Sequence, residues 1–315
     1  MKALVLAAGF GTRLKPFTNQ VPKPLCPFFG TSFLDLALFR ILPHVDEVAV
    51  NCHHLHEKIS EHISNHWSKE SIRVSYEAEI RGTGGALHPL KDWLDGHDLL
   101  IYNADIISNI NIPDLITHHL KSKPAATMVM LAEPSPGKTP IYLDTDRVLS
   151  IGDSVDSFEK SLTFSGIHIV SHDFVTSIPD TAPYSIIDTY KEYLRNDALI
   201  SFTEHSGFWE DLGTPESLWQ GHCKVLDNDA ERLLEELGVS NLRKSRGMPD
   251  LVFDRSTGSA WTKNLSFKKP PMKSFIELKH DLDISVSNSI VVHAKSLTNQ
   301  PIHNCVAIDN IKKNF

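Results

Sequence analysis

Short apolar runs and longer stretches of helical spacing take turns along the first two hundred residues. Runs at 2–7, 47–51, 72–76, 98–103 and 125–131 have the length and content of strands. The first, Lys2-Ala3-Leu4-Val5-Leu6-Ala7, is apolar without alternation, the pattern of a strand covered on both faces. Between the runs, residues 32–41, 57–67, 84–94 and 113–121 space their apolar positions as helices do, as in Leu115 and Ile116 followed by Leu120. This alternation predicts an α/β fold built of right-handed βαβ units, with a mainly parallel sheet flanked by helices. In such sheets ligands sit beyond the carboxyl ends of the strands.

From residue 139 the runs shorten. Segments 141–143, 147–151 and 162–170 predict an antiparallel patch lidding the second half of a site. Residues 186–196 read as a helix, 199–203 as a strand, and 215–237 as one long helix behind Thr214 as N-cap. The pattern then changes, placing a domain boundary at 238/239. Residues 241–273 are rich in Lys, Arg, Ser, Gly and Pro with weak periodicity, which predicts a linker or an irregular small domain. Beyond it lie short β runs at 284–286, 289–292 and 305–308. Two architectures fit them, an antiparallel hairpin and the rungs of a short solenoid. One or two coils would have to lean on the main domain or on a second copy of the chain, so a homodimer is an expected partner.

Composition narrows the function. The chain has 315 residues, 41% of them hydrophobic, enough for a substantial core. A formal net charge of −8 argues against a general nucleic-acid surface, though not against a local nucleotide site. No run of 18 apolar residues predicts a membrane span. The apolar start is too short for a signal peptide, so the expected location is cytoplasmic. Cys26, Cys52, Cys223 and Cys305 are too scattered for a zinc ribbon or disulfide framework and read as reduced thiols.

The candidate chemistry begins where the first strand ends. Ala7-Ala8-Gly9-Phe10-Gly11-Thr12-Arg13 is a glycine turn with a cation, and Pro22-Lys23-Pro24-Leu25 brings a second cation soon after. Glycine lets backbone approach a ligand closely, consecutive amides can cradle an anion, and Arg and Lys bind phosphate by charge-assisted hydrogen bonds. Neither a P-loop nor a Gly-x-Gly-x-x-Gly turn fits, since Leu14 stands where the third glycine would be. Asn51 also ends the second strand, where a dinucleotide-dependent oxidoreductase would place an acidic residue. Three further segments stand out: Tyr102-Asn103-Ala104-Asp105 at a strand end, Gly82-Thr83-Gly84-Gly85-Ala86 opening a helix with Thr83 as its candidate cap, and Trp209-Glu210-Asp211-Leu212-Gly213-Thr214-Pro215.

Taken together, Leu-Ala-Ala-Gly-Phe-Gly-Thr-Arg-Leu-Lys-Pro followed by Pro-Lys-Pro-Leu resembles the sugar-1-phosphate nucleotidyltransferases, over roughly residues 1–225. The resemblance implies a Rossmann-like, GT-A-like sheet and a Mg²⁺-dependent transfer of a nucleoside monophosphate from a triphosphate to a sugar 1-phosphate. By it, residues 1–238 are the catalytic domain, and Arg13 and Lys23 are the catalytic cations. Ala7, Ala8, Gly9, Gly11, Thr12, Arg13, Gly82, Thr83 and Gly84 hold the nucleotide. Asn103, Ser165 and Gly166 meet the sugar, and Asp105 and Asp211 hold the metal, a hard cation suited to carboxylates and phosphates. The forms here look closest to bacterial enzymes acting on mannose 1-phosphate, heptose 1-phosphate or N-acetylmuramate 1-phosphate, which use GTP or UTP, as in cell-envelope polysaccharide synthesis. Relatives often carry a left-handed β-helix after this domain.

Two departures stand out. Ala104 replaces a glycine before the metal aspartate. The Glu-Lys-Pro segment of relatives is replaced by Ile151-Gly152-Asp153-Ser154, so either Asp153 takes over its sugar contact or the pocket differs. Gly166 within a β run marks close approach or a bulge. His53, His54 and His56 suggest a zinc cluster by type, but the resemblance assigns them to a helix entry. The competing functional class is a non-catalytic nucleotide or NDP-sugar sensor of the same fold.

Overall fold

The computed structural model describes residues 1–133, 137–254, 256–257, 259–262, 274–277, 286–292, 302–308 and 311–314. It forms two compact units, Met1–Gly9 with Arg40–Trp209, and Phe10–Phe39 with Glu210–Phe315.

The first unit is built on a nine-stranded sheet. Its strands are β1 (Lys2–Leu6), β2 (Glu47–Cys52), β3 (Ile72–Tyr76), β4 (Leu99–Asn103), β5 (Ala126–Leu131), β6 (Pro140–Leu143), β7 (Val148–Ile151), β8 (Lys160–Val170) and β9 (Ile200–His205). Spatial order is β7-β6-β8-β4-β1-β2-β3, with β5 on β8 and β9 on β5. β1 pairs in parallel with β2 and β4, as do β2 with β3 and β5 with β9. The chain moves outward from β1 to β3 on one side and returns to β4 on the other, so β1 lies at the switch of strand order where α/β sheets open a crevice. The predicted antiparallel patch is present. It is no separate lid, because β8 carries it into the main sheet by pairing antiparallel with β4, β5 and β6.

Leu4, Leu99, Ile101, Met128, Val170, Phe174 and Tyr190 share one buried cluster. Each such side chain contributes about 1.5–3 kcal/mol on leaving water. A polar chain crosses this unit: His119 Nδ1 meets Thr127 Oγ1 at 2.8 Å, Thr127 meets Ser201 Oγ at 2.9 Å, and His119 Nε2 lies 3.4 Å from Asp98.

The second unit contains helices Pro215–Leu226, Ala230–Glu236 and Val239–Ser245. The predicted single helix at 215–237 is broken at Asp227-Asn228-Asp229, residues whose side chains compete for backbone hydrogen bonds. Thr214 caps its start as predicted, in a reciprocal box with Ser217. In the first unit the predicted helix at 84–94 is likewise split into Gly82–Gly85, a 3₁₀ turn at His88–Leu90 and Lys91–Leu94, with Pro89 at the break.

A six-stranded sheet completes the second unit, with Leu251–Asp254, Ser259–Thr262, Phe275–Glu277, Val286–Val292, Ile302–Ile308 and Ile311–Asn314 in chain order. The four middle strands pair in parallel, in the register Ala260, Phe275, Ile290, Val306. Parallel pairing of Val286–Val292 with Ile302–Ile308 is what solenoid rungs make and a hairpin does not. Ser259 Oγ accepts the Ser274 amide and Ser274 Oγ the Ser289 amide, a buried ladder along the rungs. Two strands fall inside the span predicted to be a linker or irregular domain. Residues 263–273 of that span, and 284–285 of the predicted run at 284–286, lie outside the described residues. An aromatic cluster of Phe28, Phe29, His222 and Phe275 and a buried Arg243–Glu277 ion pair tie this sheet to the 27–32 hairpin and the helices.

Candidate active site

Strand register brings together the candidate residues of the first unit. Leu6 at the end of β1 pairs with Asn51 of β2 on one side and Asn103 of β4 on the other. Ala7 and Ala8 follow and are buried, while Gly9 is exposed. A Cβ on Gly9 would meet nothing within 4 Å. The Ala7 amide donates to Asn51 Oδ1 at 2.7 Å, Asn51 Nδ2 donates to Glu77 Oε1 at 2.7 Å, and the Arg81 amide donates to Glu77 Oε2 at 2.9 Å. Glu77 is 4% exposed. Beside it, burial and the Glu77 charge push the Cys52 thiol up to about 11.

The Arg81–Gly85 turn is held against the segment before helix Ile186–Arg195. Tyr184 donates its amide to Arg81 O, and Tyr184 O accepts from Gly84 and Gly85. A Cβ on Gly82 would lie 2.5 Å from Tyr184 O, and one on Gly84 2.7 Å from the Tyr184 ring. These glycines are therefore required by packing. Thr83 does not cap its own short helix; its Oγ1 accepts the Ile186 amide at 3.2 Å, at the start of the other one.

At the end of β4, Asn103 meets Gly166. A Cβ on Gly166 would fall 2.6 Å from Asn103 Nδ2, and the residue has φ +84°. The β8–β5 register shifts between Phe164 and His168, so Gly166 marks both a close approach and a break in the ladder. Ser165 is buried, its hydroxyl on the Ile167 amide and its carbonyl accepting from Trp209 Nε1 at 2.9 Å. Asp105 is half-buried in the next turn, which the Ala104 amide pins to Leu6 O. Asn111 caps the following helix, so Asp105 is not needed there. Asp153 is exposed and bound to Lys191, whose hydrogen bond and charge lower its carboxyl below the usual range. His53 Nδ1 meets Glu77 O at 2.8 Å, and His56 packs on Tyr76 at the entry of helix His56–His66.

The second unit gathers the two cations with the downstream aspartate. Gly11 has φ +62°, and a Cβ there would lie 2.7 Å from Thr18 and 3.0 Å from the Lys23 stem, so the glycine turn and the Pro-Lys-Pro segment are packed together. Thr18 Oγ1 donates to Gly11 O. Gly213 makes a second cradle: the point where its Cβ would stand is 2.7 Å from Arg13 Nη2 and 3.0 Å from Asp211 Oδ1. A guanidinium and a carboxylate far apart in the sequence thus flank one glycine. Arg13 and Thr12 are exposed, and Lys23 is half-buried.

Residues 2–142 match the family model described as nucleotidyl transferase. The match covers a little under half of the chain. The matched span holds Arg13, Lys23, Gly82, Thr83, Gly84, Asn103 and Asp105, while Asp153, Ser165, Gly166 and Asp211 lie beyond it. The chain is 25% identical over 232 residues to the bifunctional protein GlmU of Methanocaldococcus jannaschii, covering 72% of this chain and 55% of that protein. It is 27% identical over 250 residues to the mannose-1-phosphate guanylyltransferase catalytic subunit beta of Dictyostelium discoideum, covering 76% and 69%. The chain therefore spans little more than half the length of its GlmU relatives. Its fold is that of a crystal structure of a putative glucose-1-phosphate thymidylyltransferase from Bacillus anthracis, with a TM-score of 0.62 at 20% identity over 70% of this chain and 93% of that one.

Sequence reasoning did not single out the Asn51–Glu77 pair, which joins the Ala7 and Arg81 amides. A signal was available for Asn51, a side-chain amide next to the end of a strand whose preceding residues, Val48-Ala49-Val50, are apolar. Glu77 carried none, since its two bonds depend on which strands are neighbours.

Proposed function

We propose that the chain is a sugar-1-phosphate nucleotidyltransferase. A phosphate oxygen of the sugar 1-phosphate attacks the α-phosphorus of GTP or UTP, a new oxygen–phosphorus bond forms, the bond to the β-phosphate bridge breaks, and pyrophosphate leaves. The attacking group is already an anion, so no strong general base is needed. The protein's task is to align two anions and offset their charge. Arg13 and the amides of the glycine turn hold the triphosphate, and Lys23 offsets charge near the reacting phosphates. Gly82, Thr83 and Gly84 border the nucleoside, and Asn103 and the backbone of Ser165 and Gly166 border the sugar. Asp153 is the candidate for the contact that relatives make with Glu-Lys-Pro.

Asp105 and Asp211 are the residues that would hold Mg²⁺. Both are carboxylates, hard oxygen donors of the kind this ion takes, and Asp211 Oδ1 is withdrawn from solvent. The ion would supply charge neutralisation at the phosphate oxygens. Residues 1–238 are proposed as the catalytic domain and 239–315 as an added β-rich region, with a homodimer as the assembly.

The observation that most supports this reading is the meeting of Arg13 and Asp211 at Gly213, beside a glycine turn packed on Lys23. Its test is a screen of nucleoside triphosphates against sugar 1-phosphates with Mg²⁺, read as released pyrophosphate. Release that needs both substrates is expected. Nucleotide binding without release in any pair would refute the transferase reading in favour of a sensor.

A further inference from the structure

Glu77 sits at the mouth of β3 and is buried, yet it belongs to none of the motifs that bear the chemistry. Its backbone is fixed on both sides, the amide donating to Cys52 O at 2.9 Å and the carbonyl meeting His53 Nδ1 at 2.8 Å. Its two carboxylate oxygens receive donors from different segments, Oε1 from Asn51 Nδ2 and Oε2 from the Arg81 amide. Asn51, 3% exposed, in turn receives the Ala7 amide on Oδ1.

The direction of every bond in this relay is forced. Ala7 can only donate, so Asn51 must present its oxygen there and its NH₂ to residue 77. The Arg81 amide can also only donate. Residue 77 must therefore accept at both oxygens, which an ionised carboxylate does and a neutral amide does not. A buried donor left facing another donor keeps its full desolvation cost.

We propose that Glu77 is a positioning residue for the nucleotide: through Asn51 it fixes the Ala7–Gly9 backbone, and through the Arg81 amide it fixes the Gly82–Gly84 turn, locking the two nucleotide-facing segments to each other. This rests on the nucleotidyltransferase reading for the identity of the ligand, a nucleoside triphosphate. The lock itself rests on the hydrogen bonds alone. Arg81 is anchored further by Nε on Gly85 O and by Asp180, and its carbonyl by Tyr184, so the turn is rigid and what Glu77 adds is its register with β1.

The test exchanges the carboxylate between two positions. E77Q keeps volume and puts an NH₂ against a donor. N51D sets a second carboxylate against Glu77. N51D/E77Q restores each bond: the carboxylate moved to position 51 accepts from the Ala7 amide and from the side-chain NH₂ now at position 77, whose amide oxygen accepts from Arg81. E77Q is expected to raise KM for the triphosphate about tenfold and to leave KM for the sugar 1-phosphate within about twofold. It should also speed amide hydrogen exchange at Ala7 and Arg81 in the substrate-free protein, and N51D/E77Q should reverse both effects. An E77Q protein with unchanged triphosphate KM and unchanged exchange overturns the proposal. So does a double variant no better than E77Q, or a rise in both KM values with a fallen melting temperature, which is general loosening. The exchange measurement needs no substrate, so a wild-type protein that releases no pyrophosphate refutes the transferase reading and leaves the lock to be decided by exchange.

Discussion

Gly166→Ala probes the contact between Asn103 and the turn in β8, and its size can be worked from the structure. An alanine Cβ would lie 2.6 Å from Asn103 Nδ2, where ordinary contact begins at 3.4 Å, so the amide must retreat by about 0.8 Å. A φ of +84° also strains any side chain, at about 1–2 kcal/mol. For a domain of this size that strain lowers the melting temperature by about 2–8 °C. The kinetic effect is larger. If Asn103 contacts the sugar 1-phosphate, displacing it by most of an ångström should cost up to about 100-fold in turnover or in that substrate's KM. The triphosphate KM should hold. N103A/G166A removes the collision and keeps the strain, so its melting temperature should lie between those of Gly166→Ala and wild type. Pyrophosphate release with each substrate varied in turn, alongside thermal melts, checks all of this. A Gly166→Ala protein that melts and turns over like wild type would refute the backbone placement. One that loses only triphosphate affinity would refute the assignment of this corner to the sugar.

Asp105→Asn and Asp211→Asn should each lower turnover by more than about 100-fold while urea midpoints stay close to wild type, since neither is fully buried; full activity in either removes the metal assignment. Burial lowers the His168 pKa to about 3, so its stabilising effect is complete above the unfolded value near 6.5 and is lost as pH falls toward 3. Between pH 7 and 5 this amounts to about 2 kcal/mol. His168→Gln, which can keep the bond to the Tyr190 hydroxyl, should lose correspondingly less stability over that interval in urea titrations, and an identical loss would refute the assignment. Gly9→Ala should leave the melting temperature unchanged and raise the triphosphate KM, whereas Gly11→Ala should destabilise the fold; equal destabilisation by the two would contradict the open space at Gly9.

The first unit was largely legible because its signals are local. Apolar runs set β1 to β5 within a residue or two of where they lie, and the strand–helix alternation set the parallel pairing of β1 to β4. What failed depended on single residues in context, such as Pro89 splitting a helix and Asp227-Asn228-Asp229 ending another. The C-terminal sheet was obscured for a different reason. Its repeat is carried by Ser259, Ser274 and Ser289 and one or two apolar neighbours each, while the residues between are polar and rich in turn formers. A 15-residue period with so few informative positions is faint in composition and becomes plain only when the serine hydroxyls accept successive amides. In the site, charged and glycine positions could be named from the sequence. Their internal partners, Tyr184 for the Gly82–Gly84 turn, Asn51 for Ala7 and Glu77 for Asn51 and Arg81, come from segments brought together by strand order.

The glycines show why motif and mechanism must be separated. From the sequence alone, each glycine near the candidate site offers the same thing, room for a ligand to approach the backbone. The space beside most of them is already taken by protein: Gly11 by Thr18 and Lys23, Gly82 and Gly84 by the Tyr184 segment, Gly166 by Asn103, Gly213 by Arg13 and Asp211. At Gly213 and Gly166 the absent methyl leaves room for the side chains of Arg13, Asp211 and Asn103, so on the proposed reading these glycines would act through those residues. At Gly11 the absent methyl lets Lys23 pack beneath the turn. Gly9 alone among them has open space, and it directly follows the Ala7-Ala8 backbone that Asn51 and Glu77 fix. A rigid backbone with an unfilled Cβ position is what an incoming phosphate needs, because a floppy loop would have to be ordered on binding at the expense of affinity. On the proposed reading the glycine pattern serves in two ways, at Gly9 to leave room for a ligand and elsewhere to leave room for the side chains that would hold it.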